Sequence, residues 1–288
     1  MANNRIVSIV SVIEFIEAHL TEKMDLDIVS NGVHYSKYHL HRMFTNTVGL
    51  TIHDYIQRRK LTEAAKLLVF SDRPILDIAF VAGYESQQAF TSAFKEMYKQ
   101  SPNQFREKEV FYPLQLKYVL EKNPANLDYT NIDLKRDITF AAKKDIPIWM
   151  DLLRLVIDGF PCLMEDEYIE SLERYIDKQQ AFIMKDQSIA IGIMTINAET
   201  GSIDFLGIHP QYRKQGIAKA FLDKVMGEFE TNSEISITTF REGDKADTGH
   251  RKVIKNLGFA EAELLIEFGY PTQKFILKNK ATEDKENE

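Results

Sequence analysis

The sequence predicts a multidomain protein: an all-α front half built as a double helix-turn-helix, and a back half of α/β (α+β) class with a mixed central sheet. Three observations predict it. The 288 residues exceed what one typical core organises. From Ile6 to Phe105 the apolar spacing is helical throughout. After Asp137, apolar runs of strand length alternate with helical ones.

In the front half, Ile6, Ile9, Val10 and Ile13 open the helical pattern. Leu40, Met43 and Phe44 continue it, then Leu61, Ala64, Ala65 and Leu68, then Phe90, Ala93, Phe94 and Met97. Breaks around Gly49, Pro74, Gly83 and Pro102 divide this stretch into about seven short helices. The Asn- and Asp-rich run from Lys122 to Asp137 reads as a linker, and Val110 to Leu120 before it pairs as strands or runs as a helix. These changes in texture set a front domain at 1–108, a linker at 109–136, a back domain at 137–280 and a polar, disordered tail at 281–288.

In the back half ITFAA reads as a strand, and DIPIWMDLLRLVI and DEYIESLERYIDK read as helices. AFIMK, SIAIGIMTIN and SIDFLGIH are three strands in succession, followed by a helix from Ile217 to Phe229. EISITTF is a strand, the next helix ends at Asn256, and EAELLIEF and QKFILK close the sheet.

The bulk numbers narrow the function classes. With 44% hydrophobic and 27% charged residues and no apolar run near the ~18 residues of a membrane span, the chain reads as soluble, with no membrane partner. Its first residues lack the pattern of a secretory signal, and Cys162 is the lone cysteine, which together give a cytoplasmic address. The net charge of −7 argues against indiscriminate nucleic-acid binding. The first 110 residues nonetheless carry as many basic as acidic side chains, so local positive patches must do any DNA binding there. His39 and His41, two apart on a helix, point different ways and do not make a metal site.

Two stretches have the outline of a helix-turn-helix. In ILDIAFVAGYESQQAFTSAFK, Ala79 is small where helices cross, Gly83 supplies a positive φ, Ser86 caps the next helix, and Phe90 and Phe94 point inward. Gln87, Gln88, Thr91, Ser92 and Lys95 then face out, near the helix N-terminus, where a recognition helix meets base edges. In LDIVSNGVHYSKYHLHRMF, Ser36 caps and Leu40, Met43 and Phe44 point inward. With Ser36 at its head, the outward side offers Lys37, Tyr38, His41 and Arg42, and Arg42 is the choice for a guanine. His34 stands in the turn where glycine is expected. A lone unit of this kind is often only a packed helix pair; two in tandem with polar outer faces point to double-stranded DNA.

From about Leu20 to Arg106 the chain resembles the AraC/XylS family of transcription activators, and YSKYHLHRMF, DYIQRRKLTEAAKLL, PILDIA and GYESQQAF are similar to its multiple-antibiotic-resistance and superoxide-response branch. The resemblance implies two helix-turn-helix units joined by a long helix, Thr51 to Phe70, with recognition helices in successive major-groove segments. Ser92 departs from that branch, which carries a basic residue there.

In QYRKQGIAKAF, Gly216 lets backbone N–H groups approach a phosphate, and a helix starting at Ile217 aims its positive end at the same place. No glycine precedes a lysine and none sits two before another, which excludes the two common nucleotide fingerprints. Arg213, Lys214, Gln215, Gly216, Ile217 and Ala218, with FLGIHP before them and NLGF after, resemble the Gcn5-related N-acetyltransferase (GNAT) pattern over roughly Asp137 to Lys278. That likeness implies a GNAT fold and acetyl-CoA as cofactor. Leu206, Gly207 and Ile208 would meet it by main chain, and Arg213, Lys214, Gly216, Ile217 and Ala218 would cradle its pyrophosphate. As side chains, Arg213 and Lys214 also read as solvated loop charges, which leaves backbone contact untouched.

Acetyl transfer to an amine needs a base, and Asp204, two residues before Leu206 and expected on its strand face, is the candidate. Ile254 occupies the position where the family commonly has an acidic tyrosine. The acidic run Glu165, Asp166 and Glu167 reads either as a charge lure for a cationic amine or as a solvated helix start. Two functions stay open: a DNA-binding regulator fused to an N-acetyltransferase of an unknown amine, or a regulator whose GNAT-fold half senses acetyl-CoA or an amine without turnover.

Overall fold

The computed structural model describes residues 2–120, 137–157, 164–228 and 234–278. Most of the expected linker, Cys162 and the 281–288 tail lie outside them. The described residues form two compact units, the first over 2–120 with Ile157 and the second over 137–156, 164–228 and 234–278.

The first unit is all helix: α1 (Ala2–Ala18), α2 (Leu26–Gly32), α3 (Lys37–Val48), α4 (Ile52–Phe70), α5 (Ile75–Val81), α6 (Gln87–Tyr98) and α7 (Pro102–Glu107). Small hydroxyl side chains start four of them, each accepting a backbone N–H that the first turn would leave unmet. Ser36 Oγ accepts from His39 N, Thr51 Oγ1 from Asp54 N, and Ser86 Oγ from Ala89 N. Ser101 and Gln104 make a reciprocal capping box ahead of Pro102. The turns obey the same local logic. Gly83 has φ +81°, and His34, at the matching place in the first helix pair, takes φ +58° without being glycine. Two helix-turn-helix pairs, α2–α3 and α5–α6, are therefore present on either side of α4.

Helix α4 is buried on most of its circumference: Tyr55, Ile56, Leu61, Ala64, Ala65 and Leu68 pack inward, and so do Arg58 and Arg59. A buried guanidinium needs a partner, because an uncompensated charge in a dry interior is costly. Arg59 donates through Nε and Nη2 to the two carboxylate oxygens of Glu17 on α1, both at 2.8 Å. Tyr55 Oη donates to the same carboxylate at 2.9 Å. Burial, then the Glu17 charge, holds the Tyr55 hydroxyl far above the usual phenol range.

The segment 110–120 differs from expectation. It forms neither strand nor helix but lies as an irregular strap in the core of the first unit. Its backbone is satisfied by α4 side chains instead of a ladder. Leu114 N and Gln115 N both donate to Thr62 Oγ1 at 3.1 Å, and Arg59 Nη1 donates to the Gln115 carbonyl at 3.1 Å. Tyr118 stacks on Tyr55, and Tyr112 joins Phe94, Tyr98 and Phe105 in an aromatic cluster. The first core thus runs past residue 109.

The second unit is a mixed sheet with helices on both faces. The strands are β1 (Ile138–Phe140), β2 (Ala181–Asp186), β3 (Ile189–Asn197), β4 (Ser202–Ile208), β5 (Ile235–Phe240), β6 (Ala260–Glu267) and β7 (Tyr270–Leu277). Their order is β1-β2-β3-β4-β5-β7-β6. Neighbours are antiparallel except β4 and β5, which are parallel. Alternation along β2 sorts the faces. Ala181 and Ile183 pack with Trp149, Leu152, Leu153 and Leu172 of α8 (Ile146–Val156) and α9 (Glu165–Asp177). Phe182 and Met184 pack with Ile217, Phe221 and Val225 of α10 (Ile217–Glu228) and Ile254 of α11 (His250–Asn256). Among the described residues no helix is long and apolar enough to cross a membrane.

The only tryptophan of the chain, Trp149, is buried in the second unit, so its fluorescence reports that unit alone. Glu17→Gln should cost the first unit about 3 kcal/mol by leaving Arg59 short of its counter-charge. In urea unfolding of the full chain, the helical signal at 222 nm should gain an earlier transition while the Trp149 transition stays in place. Superimposable circular dichroism curves for parent and variant would show that this pair does not hold α1.

Candidate functional site

In the first unit the second helix of each pair, α3 and α6, carries a run of exposed polar side chains. On α6, Gln87, Gln88, Ser92 and Lys95 are exposed and Thr91 is half-buried, whereas Phe90 and Phe94 are fully buried beneath them. On α3, Lys37, Tyr38, His41 and Arg42 are exposed; Tyr38 is 76% accessible, and the Arg42 guanidinium lies over its ring at 5.5 Å. Lys37 is ion-paired with Asp27, and Ser36 Oγ is engaged as the cap of α3. Both helices therefore present donors and acceptors of the type that read base edges, near N-termini whose dipole favours phosphate.

In the second unit the site is set by where β4 parts from β5. Strand β4 pairs with β3 from Ser202 to Ile208, but with β5 only at Ser202↔Ser236 and Ile203↔Ile237. From Asp204 onward the edge of β4 that faced β5 has no ladder partner among the described residues, while β5 stays paired to β7 from Ile235 to Phe240. Leu206, Gly207 and Ile208 lie on that unladdered edge, with Gly207 buried and its two neighbours half-buried.

The open edge leads into a tight connection. His209 precedes a single 3-10 turn, Pro210–Tyr212, and α10 begins at Ile217. Tyr212 is fully buried and its Oη donates to Asp186 Oδ2 at 2.8 Å, which anchors the turn to the end of β2. Lys214 and Gly216 both take positive φ, +67° and +80°. Gly216 is exposed, Arg213 and Ala218 are half-buried, and Lys214 is exposed. The N–H groups in the first turn of α10 have no intrahelical acceptor, and Gln211 Nε2 is buried with no acceptor among the described residues. A glycine in the left-handed region directly before a helix N-terminus is chemistry that suits a phosphate group.

His209 is the buttress behind this turn. Its Nδ1 accepts from Gln211 N at 3.3 Å, so the ring must be neutral there. Burial, with Arg213 nearby, pushes its pKa down to about 4.

Asp204 departs from expectation. Thr195 pairs with Phe205 but Ile196 with Ile203, so Asp204 is the extra residue of a β-bulge. The bulge breaks the alternation. Leu206 packs with the α10 side of the sheet, whereas Phe205 packs with the α8–α9 side and Asp204 meets Tyr175 of α9. Asp204 and Leu206 consequently do not share a face. Tyr175 Oη donates to Asp204 Oδ2 in a short bond, and Ser202 Oγ donates to Oδ1 at 2.9 Å. Nearby, Trp149 Nε1 donates to the Tyr168 hydroxyl at 3.0 Å, and burial pushes that phenol up to about 12.

Ile254 is buried in the core beside Phe259 and offers no proton to the cleft. The acidic run is largely a helix start: Glu165 is held by both arms of Arg154, at 2.8 and 2.7 Å, which lowers its pKa, while Asp166 and Glu167 are exposed. Sequence reasoning missed Tyr175, His209 and Tyr212. Tyr168 and Tyr175, seven apart in one amphipathic helix, lie on one face, and that spacing was a usable signal.

The His209 ring gives the second unit a pH dependence of defined sign. Free imidazole takes a proton near pH 6.5, but the folded ring refuses it until about pH 4. Stability is full above pH 6.5 and falls as the pH drops through that window. Between pH 7 and 5 the loss should be about 2 kcal/mol by urea unfolding read at Trp149. His209→Asn should flatten that slope; an unchanged slope would assign it elsewhere.

Comparison with known proteins finds two domain families along the chain. A family described as a helix-turn-helix domain matches residues 29–108, and one described as an acetyltransferase (GNAT) domain matches residues 159–267. The regulatory protein SoxS of Escherichia coli is 36% identical over 106 residues, which is 37% of this chain and 97% of SoxS. The right origin-binding protein of E. coli is 44% identical over 92 residues, but the match spans only 32% of that protein and 32% of this chain. A solved GNAT-family acetyltransferase from Bacillus cereus covers 49% of this chain and 96% of its own, at 17% identity and a TM-score of 0.38. The chain belongs to the AraC/XylS-type regulators with a tandem helix-turn-helix, and carries that domain fused to a GNAT acetyltransferase domain.

Proposed function

We propose that the protein is a cytoplasmic, sequence-specific DNA-binding transcription regulator whose second domain transfers acetyl from acetyl-CoA to an amine. The observation that carries the second half of this reading is the continuous path from the open β4 edge into Gly216 and the first turn of α10. Leu206, Gly207 and Ile208 offer main-chain groups to the pantetheine arm. Gly216, Ile217 and Ala218 offer N–H groups to the pyrophosphate, with Arg213 and Lys214 beside them. Bound there, the coenzyme would supply an acetyl group activated as a thioester. The residues of this chain do the rest.

Asp204 is exposed where β4 parts from β5, and from there it would take a proton from the amine, directly or through one water, as the new C–N bond forms and the C–S bond breaks. With Ile254 offering no proton, solvent would supply the one that the departing thiolate takes. A thiol pKa of about 8.5 makes a dedicated acid unnecessary, which is consistent with the buried Ile254. In the first domain, α3 and α6 would enter successive major-groove segments, with Arg42 aimed at guanine and Gln87 and Gln88 at adenine. Ser36, Lys37, Tyr38, His41, Thr91, Ser92 and Lys95 would share the base and phosphate contacts.

A second reading is a non-catalytic sensor of acetyl-CoA or a small amine. It is favoured by one observation: both oxygens of Asp204 already accept a hydrogen bond from the chain itself, which blunts a general base.

On a selected DNA site at fixed salt, Arg42→Ala and Gln88→Ala should each weaken binding by about 1 to 3 kcal/mol. Parent-like affinity in both variants would remove α3 and α6 as the reading elements. Gly216→Glu should abolish thermal protection by acetyl-CoA, through bulk and charge at a left-handed position, while leaving DNA affinity intact. With the parent, amine-dependent release of free thiol from acetyl-CoA supports transfer, and protection without release supports sensing.

A further inference from the structure

The bulge at Asp204 turns its carboxylate away from the α10 side and delivers it to α9, where Tyr175 waits. Among the described residues the hydrogen bonds to this carboxylate come from two neutral hydroxyls, Tyr175 Oη on Oδ2 and Ser202 Oγ on Oδ1. Neither cancels its charge. Each carboxylate oxygen has about two lone-pair directions, so one on each oxygen is left for an incoming N–H, and the phenol oxygen can accept as well. Burial, then the bond to Asp204 and its negative charge, hold the Tyr175 hydroxyl well above the usual phenol range, so it stays a donor to the carboxylate.

An apolar wall stands beside the carboxylate, and Arg174, whose charge is felt at the Tyr175 hydroxyl, is the cation next to it in the chain. Phe205, which follows Asp204, packs with the α8–α9 side, edge-on to Tyr168 at 6.4 Å. Val156 of α8 reaches within 2.9 Å of where a Cβ on Gly207 would sit, so this wall closes directly over the strand. The carboxylate itself is exposed, at the point where β4 loses β5.

We propose that Tyr175 is a positioning and specificity-determining residue of the acceptor site: by fixing the Asp204 carboxylate it forms a subsite for the ammonium group of an alkylamine. This rests on reading the second domain as an amine acetyltransferase or amine sensor. Tyr175 acts through Asp204 and takes no proton from the substrate.

The test uses the full chain in amine-free phosphate buffer, with n-butylamine as probe and n-butanol as the neutral control, read by calorimetric titration. The parent should bind butylamine in preference to butanol. Tyr175→Phe, which keeps the ring and removes the hydroxyl, should weaken butylamine about tenfold, in keeping with loss of one hydrogen bond to a charged group. Asp204→Asn should abolish the preference. Ser202→Ala, which removes the other donor, should weaken butylamine in the same direction and serves if the tyrosine variant does not fold. Acetyl-CoA should protect all folded variants as it protects the parent. If turnover is present, Tyr175→Phe should raise KM for the amine and leave KM for acetyl-CoA unchanged.

Equal binding of butylamine and butanol by the parent overturns the proposal. So does parent-like butylamine affinity in Tyr175→Phe or, should that variant not fold, in Ser202→Ala. Absence of thiol release with every amine sinks the transfer reading alone, because butylamine binding still decides the subsite.

Discussion

After Ile203, strand β4 keeps its antiparallel partner β3 and loses its parallel partner β5. A sheet interior does not leave backbone groups unpaired without reason, since each buried donor or acceptor without a partner costs on the order of 1 to 3 kcal/mol. The second domain arranges much of itself around this parting. The bulge at Asp204 sits immediately past the last shared pair and re-aims one side chain across to α9. Beyond it, His209 and Tyr212 brace the turn into α10, so the open edge and the helix N-terminus are held by buried groups rather than by a free loop.

The first domain depends on a different kind of constraint. Helix α4 connects the two helix-turn-helix pairs and buries two arginines, so its position is fixed as much by polar matching as by packing. Glu17 from α1 and the Gln115 carbonyl from the strap meet Arg59 in different directions, and Thr62 receives two backbone donors from the strap. A buried ionic centre of this sort contributes little net stability compared with an apolar core, but it tolerates few alternative geometries. Spacing between two reading helices is a property that such a centre would keep constant.

Much of this was legible in the sequence, and for local reasons. The caps Ser36 and Ser86, the turn at Gly83 and the inward Phe90 and Phe94 are each decided within a few residues, and the structure has them as read. The strands of the second domain follow their apolar runs closely for the same reason. The failures are contacts over long separations. SIDFLGIH reads as one strand with Asp204 and Leu206 on a shared face, and the bulge that splits them exists only in its pairing with β3. The strap at 110–120 has an apolar pattern that suits a strand, yet its backbone partners are Thr62 and Arg59, about fifty residues earlier. Tyr175 was hidden in an ordinary amphipathic helix because its partner lies in a strand that follows much later.

The strap also bears on where the first domain ends. A break placed at the end of α7 would strip the hydroxyl of Thr62 of both its donors and uncover Tyr98, Phe105 and Tyr55 along one side. The residues beyond that last helix are already committed to the interior, so a first domain cut free of the second keeps its own core only when the cut falls beyond Leu120.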